Sequence, residues 1–182
     1  NLKRNNEIQK MSKRDGTIFE LDELVKEIGM ENYRYFMCYR KNDTHMDLDI
    51  DLIKKENKEN PIYYIQYSFA RSQSVLEKTN KVISSNIELS IELKNLIKKI
   101  HEWDLVVFNS YKRNEVHLIA HYLESVAAMF HSLWSSAKSN STSRFLDDNN
   151  NLSEDAQSLL KKYQSVISEG LGILGIKPKL KM

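Results

Sequence analysis

Apolar residues recur at helical spacing through most of the chain, which predicts an all-α protein. The first run indicates a short helix over 21–28 that Gly29 ends, and a second helix is expected over 31–40. Pro61 suits the first turn of a long helix, because its missing N–H needs no partner there. We expect that helix to continue to about Ile83. The pattern favours a bundle of helices.

The helix that Pro61 begins is predicted to have two different faces. Its mostly apolar stripe consists of Ile62, Ile65, Phe69, Ser72 and Leu76. A second stripe, about 200° around the helix, carries Tyr64, Tyr67 and Arg71. We predict that the first stripe packs against other helices. The second is a candidate for binding a ligand, although tyrosines at this spacing are more often core residues.

Three further amphipathic helices are predicted toward the C-terminus. They centre on residues 89–103, 116–133 and 156–167. Residues 135–153 are rich in Ser, Asn and Asp and predict an exposed loop, after which Asn151 and Glu154 would form a capping box. A glycine-rich tail with three lysines is expected at the end. Only residues 2–3 and 46–52 have the character of strands.

The composition is that of an ordinary globular protein, with 41% hydrophobic and 29% charged residues among 182. The formal net charge of +2 is too small to predict nucleic-acid binding, so that case must rest on local groups. A single cysteine, Cys38, excludes an internal disulfide and fits a reducing compartment. No apolar run is long enough for a membrane span or a secretory signal, so we predict a cytoplasmic protein.

Three short patterns do not fit the chemistry that their letters suggest. The glycines of 170–175 match a dinucleotide-binding motif but follow a predicted helix instead of a strand. The aspartates of 47–51 lack the glycine and the closing glutamate of a calcium loop. His117 and His121 have zinc-site spacing without an adjacent acid, so packed or surface histidines are the better interpretation. We predict no metal site.

The basic segment 1–17 contains the pentapeptide Lys-Met-Ser-Lys-Arg at 10–14. Lys10, Lys13 and Arg14 are cations of the kind that can close over the negative charge developing when pyrophosphate leaves an acyl-adenylate. Taken alone, the segment could equally be a solvated run of charge. The pentapeptide resembles the signature loop of class I aminoacyl-tRNA synthetases.

Further stretches resemble arginyl-tRNA synthetase. They are the Asp-Thr-His-Met-Asp-Leu-Asp-Ile-Asp run at 43–51, the tyrosine-rich run at 63–71, the runs at 119–123 and 130–131, and the closing run at 170–176. The resemblance implies three parts. Residues 1–17 would be a signature-loop segment of the catalytic domain, 18–60 a helical connector contacting the tRNA stem, and 61–182 an anticodon-binding helical bundle.

The resemblance also assigns roles to residues. Lys13 would contact the ATP phosphates, supported by Lys10 and Arg14. The anticodon pocket would contain Tyr64, Tyr67, Arg71, Trp134 and Met182, with Trp134 standing where the family tends to have tyrosine. The parent enzyme would ligate arginine to its tRNA using Mg-ATP.

The nucleotide-binding sheet and the His-x-Gly-His element of class I enzymes are absent from this sequence. We therefore expect the chain, which starts at Asn1 without a methionine, to be a fragment that is inactive alone and binds no cofactor. Its partners would be arginine tRNA and the missing N-terminal catalytic domain, in a monomer without membrane contact.

Three alternatives remain open. The chain could be a free-standing RNA-binding helical bundle, or the equivalent domain of another class I synthetase. It could also be a purely structural helical protein. The last alternative predicts that Tyr64 and Tyr67 are fully buried.

Overall fold

Helices dominate the computed structural model, which describes residues 1–5, 7–9, 20–84, 90–137 and 144–182. The helices are α1 (Leu21–Ile28), α2 (Met30–Tyr39), α3 (Ile50–Ile53), α4 (Pro61–Lys78), α5 (Ile91–His101), α6 (Trp103–Arg113), α7 (His117–Ser136) and α8 (Glu154–Ile173). The strands are β1 (Leu2–Arg4), β2 (Glu7–Gln9), β3 (Leu48–Asp49), β4 (Lys81–Ile83) and β5 (Asn151–Ser153). The predicted all-α class is confirmed, with these short strands added to it.

The first two helices form as their sequence predicts. α1 ends where Gly29 takes a positive φ of 83° and donates its N–H to the carbonyl of Val25 at 2.9 Å. A residue with a Cβ would be strained at that φ, so glycine allows the chain to turn directly into α2. The helix expected at 31–40 begins one residue earlier, at Met30, and ends at Tyr39.

α4 begins as predicted and ends early. Pro61 is its first residue, and the Asn60 side chain accepts a hydrogen bond from the Tyr63 N–H. The expected continuation to Ile83 is wrong, because the helix stops at Lys78 and Lys81–Ile83 becomes β4. β4 lies parallel to β5, which is far away in sequence, so the local pattern could not show this pairing.

Two other boundary predictions are also wrong. The helix expected at 89–103 corresponds to α5 and ends at His101, and Trp103 instead begins a separate helix, α6, which the sequence pattern did not predict. The last helix is capped by Ser153, whose hydroxyl accepts from the Ala156 N–H at 3.1 Å. Asn151 does not form the predicted capping box, since its side chain donates to Asp147 at 3.0 Å.

α7 is the central helix of the bundle and packs against α2, α4, α5, α6 and α8. Its inward residues Leu123, Val126, Ala127 and Phe130 are fully buried. Small and large apolar side chains alternate along this face, which allows neighbouring helices to approach and fill the space between them. Among the described helices, none is both long and apolar enough to cross a membrane.

A smaller hydrophobic cluster lies around the N-terminal strands. Its buried residues are Leu2, Leu24, Ile28, Leu48, Ile50 and Ile53. β1 pairs antiparallel with β2 and parallel with β3. The extended stretch expected at 46–52 is right only as far as Asp49, whose carboxylate accepts from the Leu52 N–H at 3.0 Å and starts the short helix α3.

The expected glycine-rich tail is helical only at its start. α8 continues through Gly170 and Gly172 as far as Ile173. A Cβ on Gly170 would lie 2.6 Å from a methyl carbon of Leu123, so glycine allows α8 to approach α7 closely. The final residues then pass α4, where Gln66 donates to the Lys177 carbonyl at 2.9 Å and accepts from the Lys179 N–H at 2.8 Å.

Candidate nucleic-acid interface

The second stripe predicted on α4 lies on its open side. Tyr64, Tyr67 and Arg71 are each partly exposed, whereas Ile65 and Phe69 on the packed side are buried. The purely structural alternative predicted full burial of Tyr64 and Tyr67, which the structure does not have. The tyrosines therefore have ring surface available to a ligand.

His131 reaches this stripe from α7. Its ring is stacked on that of Tyr64, with centroids 3.9 Å apart and an interplanar angle of 23°. The Tyr67 ring lies 5.6 Å from the same imidazole at 30°. Three rings from two helices are thus roughly parallel, an arrangement that fixes the tyrosine orientations.

Arg71 crosses the end of this ring group. Its guanidinium carbon lies 4.0 Å from the centroid of Tyr67 and 5.1 Å from that of Trp134. One terminal nitrogen donates to the Tyr67 hydroxyl at 2.7 Å. The other lies 3.1 Å from Nδ1 of His131. The guanidinium is therefore held at a defined place between two aromatic side chains.

The hydrogen bonds of His131 define its protonation. Nε2 lies 3.0 Å from the backbone carbonyl of Tyr64, which can only accept, so Nε2 carries the proton. Nδ1 is then the acceptor for Arg71. Burial, and to a smaller extent the charge of Arg71, lowers the pKa of His131 below its ordinary value, although the hydrogen bond to Tyr64 opposes this. The ring is neutral at physiological pH.

We call Tyr64, Tyr67, Arg71, His131 and Trp134 the aromatic face. It borders a cleft of about 390 Å³, whose lining residues are Glu56, Asn57, Lys58, Tyr63, Tyr64, Tyr67, Arg71, His131 and Ser135. Aromatic rings can stack on unpaired bases, and a guanidinium can donate to a phosphate or a base edge. The chemistry of the aromatic face suits single-stranded nucleic acid.

Trp134 joins the aromatic face to a second, apolar cleft. That cleft has a volume of about 260 Å³ and is lined by Val75, Trp134, Ala137, Arg144, Phe145 and Leu146. The indole also stacks on Phe130 with centroids 6.2 Å apart. Phe130 is fully buried, so the core supports the position of Trp134.

Met182 lies apart from the other predicted pocket residues. It is 48% exposed and lines a groove of about 360 Å³ together with Tyr63, Gln66 and Lys179. We call this the tail groove. Tyr63 lines both the tail groove and the cleft beside the aromatic face, so the two are neighbours.

The remaining candidates are the three cations of the basic segment and the two histidines with zinc-site spacing. Lys10, Lys13 and Arg14 lie outside the described residues. His121, one of the two histidines with zinc-site spacing, has its Nε2 2.9 Å from the Tyr39 carbonyl. Within the described ranges, no group of three or more His, Cys, Asp or Glu side chains is placed to hold a metal ion.

His131 is the residue that the sequence analysis missed. Its dipeptide with Phe130 is part of the resemblance, but neither the spacing nor the resemblance assigns His131 a binding role. His131 is indeed 4% exposed. The available signal was its position three residues before Trp134, which places both side chains on one side of a helix.

Comparisons with known proteins show which family this chain resembles. The family model described as DALR anticodon binding domain matches residues 65–182. An arginine–tRNA ligase of Jannaschia sp. (strain CCS1) is 36% identical over 184 residues, covering 97% of this chain and 32% of that protein. Another, from Roseobacter denitrificans, is 34% identical and covers 100% of this chain and 33% of that protein. The chain thus spans about a third of the length of these relatives.

Solved structures share the fold. A Campylobacter jejuni structure named as an arginyl-tRNA synthetase has a TM-score of 0.80 at 26% identity, covering 100% of this chain and 39% of that one. The Thermus thermophilus arginyl-tRNA synthetase has a TM-score of 0.64 and covers 93% of this chain and 29% of that one. At 18% identity, the latter supports the fold alone.

Proposed function

Because the chain belongs to the family of DALR anticodon-binding domains, we propose that its aromatic face binds the anticodon loop of arginine tRNA. The observation that carries the proposal is the assembly of Tyr64, Tyr67, Arg71 and Trp134 on one open surface. Two separate helices, α4 and α7, supply these residues. The spacing of residues along α4 does not by itself bring Trp134 of α7 to this surface.

Each part of the aromatic face has a distinct task in this proposal. Tyr64 and Tyr67 offer ring surface to unpaired bases, and such stacking contributes roughly 1–3 kcal/mol per base. Arg71 has five N–H donors, of which two contact His131 and Tyr67. Its further donors can contact a phosphate or a base edge. The Tyr67 hydroxyl accepts from Arg71 and can still donate its own proton.

Met182 is proposed to contact a nucleotide next to those on the aromatic face. Its neighbour Tyr63 lines both the tail groove and the cleft beside the aromatic face, which supports a continuous path for the RNA. Lys179 also lines the tail groove and lies 3.8 Å from Glu31. This exposed ion pair is weak enough for a phosphate to compete with it.

We also propose the three-part division at residues 17 and 60. The smaller hydrophobic cluster lies outside the core of the bundle and supports the boundary near residue 60, and Leu2 of the first part also belongs to it. Tyr35 of α2 nevertheless belongs to the larger hydrophobic cluster inside the bundle, and its hydroxyl lies 3.4 Å from the Ala120 carbonyl. The connector would therefore be firmly attached to the bundle.

The whole protein is proposed to be an arginine–tRNA ligase that uses Mg-ATP. The names of the relatives support this, and the catalytic part other than the signature-loop segment would lie in the two thirds of their length that this chain does not match. The roles of Lys10, Lys13 and Arg14 toward ATP rest on the resemblance alone. A cytoplasmic monomer remains our prediction.

The proposal is tested by measuring binding of the 182-residue chain to arginine tRNA and to the same tRNA with an altered anticodon, at one fixed salt concentration. The wild type should prefer arginine tRNA. Tyr67→Ala should weaken that binding roughly 5- to 150-fold, because one stacking contact is lost. Tyr111→Ala is the matched control, since Tyr111 is 82% exposed on α6 and lies outside the aromatic face.

Equal and weak binding to both tRNAs would contradict the proposal and leave only general attraction to a charged polymer. Such binding would fall steeply with added salt in the wild type and in both variants alike.

A further inference from the structure

We infer that His131 is a positioning residue, which as a neutral imidazole holds Arg71 in its RNA-binding position and releases it when protonated. The inference rests on the proposed function of the aromatic face. It concerns how Arg71 keeps both its place and its charge.

The partners of Arg71 differ from those of the cations that pair with carboxylates in the described part of the chain. Arg4 and Lys54 both pair with Glu27, and Lys55 pairs with Glu59. A carboxylate partner cancels most of the positive charge that would otherwise attract a phosphate. Arg71 is held instead by two neutral acceptors, Nδ1 of His131 and the Tyr67 hydroxyl. The guanidinium therefore stays fixed and keeps its full positive charge for an RNA phosphate.

This arrangement requires one state of His131. The proton on Nε2 is fixed by the Tyr64 carbonyl at 3.0 Å, so Nδ1 has a lone pair directed at Arg71. A second proton on Nδ1 would place two N–H donors and two positive charges 3.1 Å apart. The contact would become repulsive, and Arg71, which is the more exposed of the two, would move away.

The other titratable groups around His131 do not determine whether Arg71 is held or released. Tyr64 and Tyr67 on α4 contact the ring, and Glu56 and Lys58 line the adjoining cleft with opposite charges. On α8, Tyr163 stacks on Phe130, and burial raises its pKa far above the physiological range. Burial and Arg71 lower the pKa of His131 itself, so the neutral state prevails at neutral pH.

Two substitutions separate positioning from simple packing. His131→Phe keeps a flat ring against Tyr64 but removes the acceptor for Arg71. His131→Asn removes the ring but keeps an acceptor oxygen near the position of Nδ1. If His131 positions Arg71, the Phe variant should bind arginine tRNA about tenfold more weakly, the effect of losing one hydrogen bond to a charged group. The Asn variant should recover part of that loss.

The pH profile gives a readout that packing alone would not change. Wild-type affinity should fall by more than that of His131→Asn between about pH 7 and pH 5, the range in which histidine titrates. Thermal unfolding of each variant verifies that it is folded. Wild-type affinity in folded His131→Phe, or identical pH profiles for the wild type and His131→Asn, would overturn the inference.

An RNA-free measurement separates this inference from the proposed function. Nitrogen NMR of the free chain should show the Nε2–H tautomer of His131, with the Arg71 side-chain N–H signals protected from exchange. Those Arg71 signals should lose protection in His131→Phe. The opposite tautomer, or unchanged Arg71 signals, would refute the positioning role even if the tRNA binds. Absence of tRNA preference with the expected NMR result would refute the proposed function instead.

Discussion

On the closed side of α4, Ile62, Ile65 and Phe69 are almost completely buried against the bundle, whereas on the open side Tyr64 and Tyr67 remain partly exposed. Both sides are rich in large side chains. They differ in what the neighbouring helices place opposite them. α7 and α8 pack apolar residues against the closed side, while α7 offers His131 and Trp134 to the open side.

The difference shows how one helix can serve as both scaffold and binding surface. Burial of the closed side fixes α4 relative to α7, and that in turn fixes the distances between Tyr64, Arg71 and His131. Side chains on the aromatic face therefore lose little further freedom when a ligand binds, which favours affinity. Substitutions on the two sides should consequently separate stability from binding.

The largest expected effect is that of Ile65→Ala on the closed side. Ile65 is fully buried, and shortening it leaves a cavity in the main core. The free energy of unfolding should fall by about 2–5 kcal/mol, the usual range for such truncations. Urea denaturation followed by circular dichroism measures this change.

Tyr67→Ala provides the contrast on the open side. Its loss of stability should stay well below that of Ile65→Ala, because the ring is partly exposed already. Its effect should instead be on tRNA binding. Equal destabilisation by both substitutions would mean that the open side is as much a part of the core as the closed side.

A second, smaller contrast uses two glycines of α8. An added Cβ at Gly170 would lie 2.6 Å from Leu123, whereas at Gly172 it would meet nothing within 4 Å. Gly170→Ala should lower the free energy of unfolding by about 1–3 kcal/mol through overpacking. Gly172→Ala should raise it by about 0.4–1 kcal/mol, because alanine restricts the unfolded chain and favours helix.

Thermal denaturation of the two alanine variants side by side measures this contrast. Similar shifts in both variants would show that α8 can move away from α7 at little cost. The close approach at Gly170 would then not be a condition of the packing.

The sequence predicted most helices because their apolar spacing is local. Pro61 gave the start of α4, and Gly29 gave the end of α1. The end of α4 at Lys78 could not be predicted, since it depends on β4 pairing with β5 about 70 residues later. The capping role of Ser153 instead of Asn151 likewise depends on where that pairing ends.

The aromatic face was only partly predictable for a similar reason. Tyr64, Tyr67 and Arg71 share a stripe of one helix, so helical spacing was enough to group them. Trp134 was attached to them by resemblance, and His131 was assigned no role, because the contact between α7 and α4 is tertiary. Met182 was grouped with the same pocket, but the tail passes Gln66 and places it in the neighbouring tail groove.

The smallest expected effect concerns pH and His131, at the border between the closed and open sides. Burial, followed by the charge of Arg71, lowers the pKa of His131 below its ordinary value of 6.5 in the folded protein. The unfolded chain then binds a proton at a pH where the folded chain does not. The free energy of unfolding should therefore decrease as pH falls through 6.5, and level off once the folded protein is protonated too.

Urea denaturation of the wild type and His131→Asn at a series of pH values isolates this contribution, since the other four histidines are common to both chains. The acidic groups with lowered pKa, such as Glu27 and Glu169, lose their contributions only at lower pH, below their ordinary value of 4.5. Between pH 6.5 and pH 4.5, the free energy of unfolding should fall more steeply for the wild type than for His131→Asn. Parallel curves would mean that His131 is as easily protonated in the folded chain as in the unfolded one, and that the border of the aromatic face is open to water.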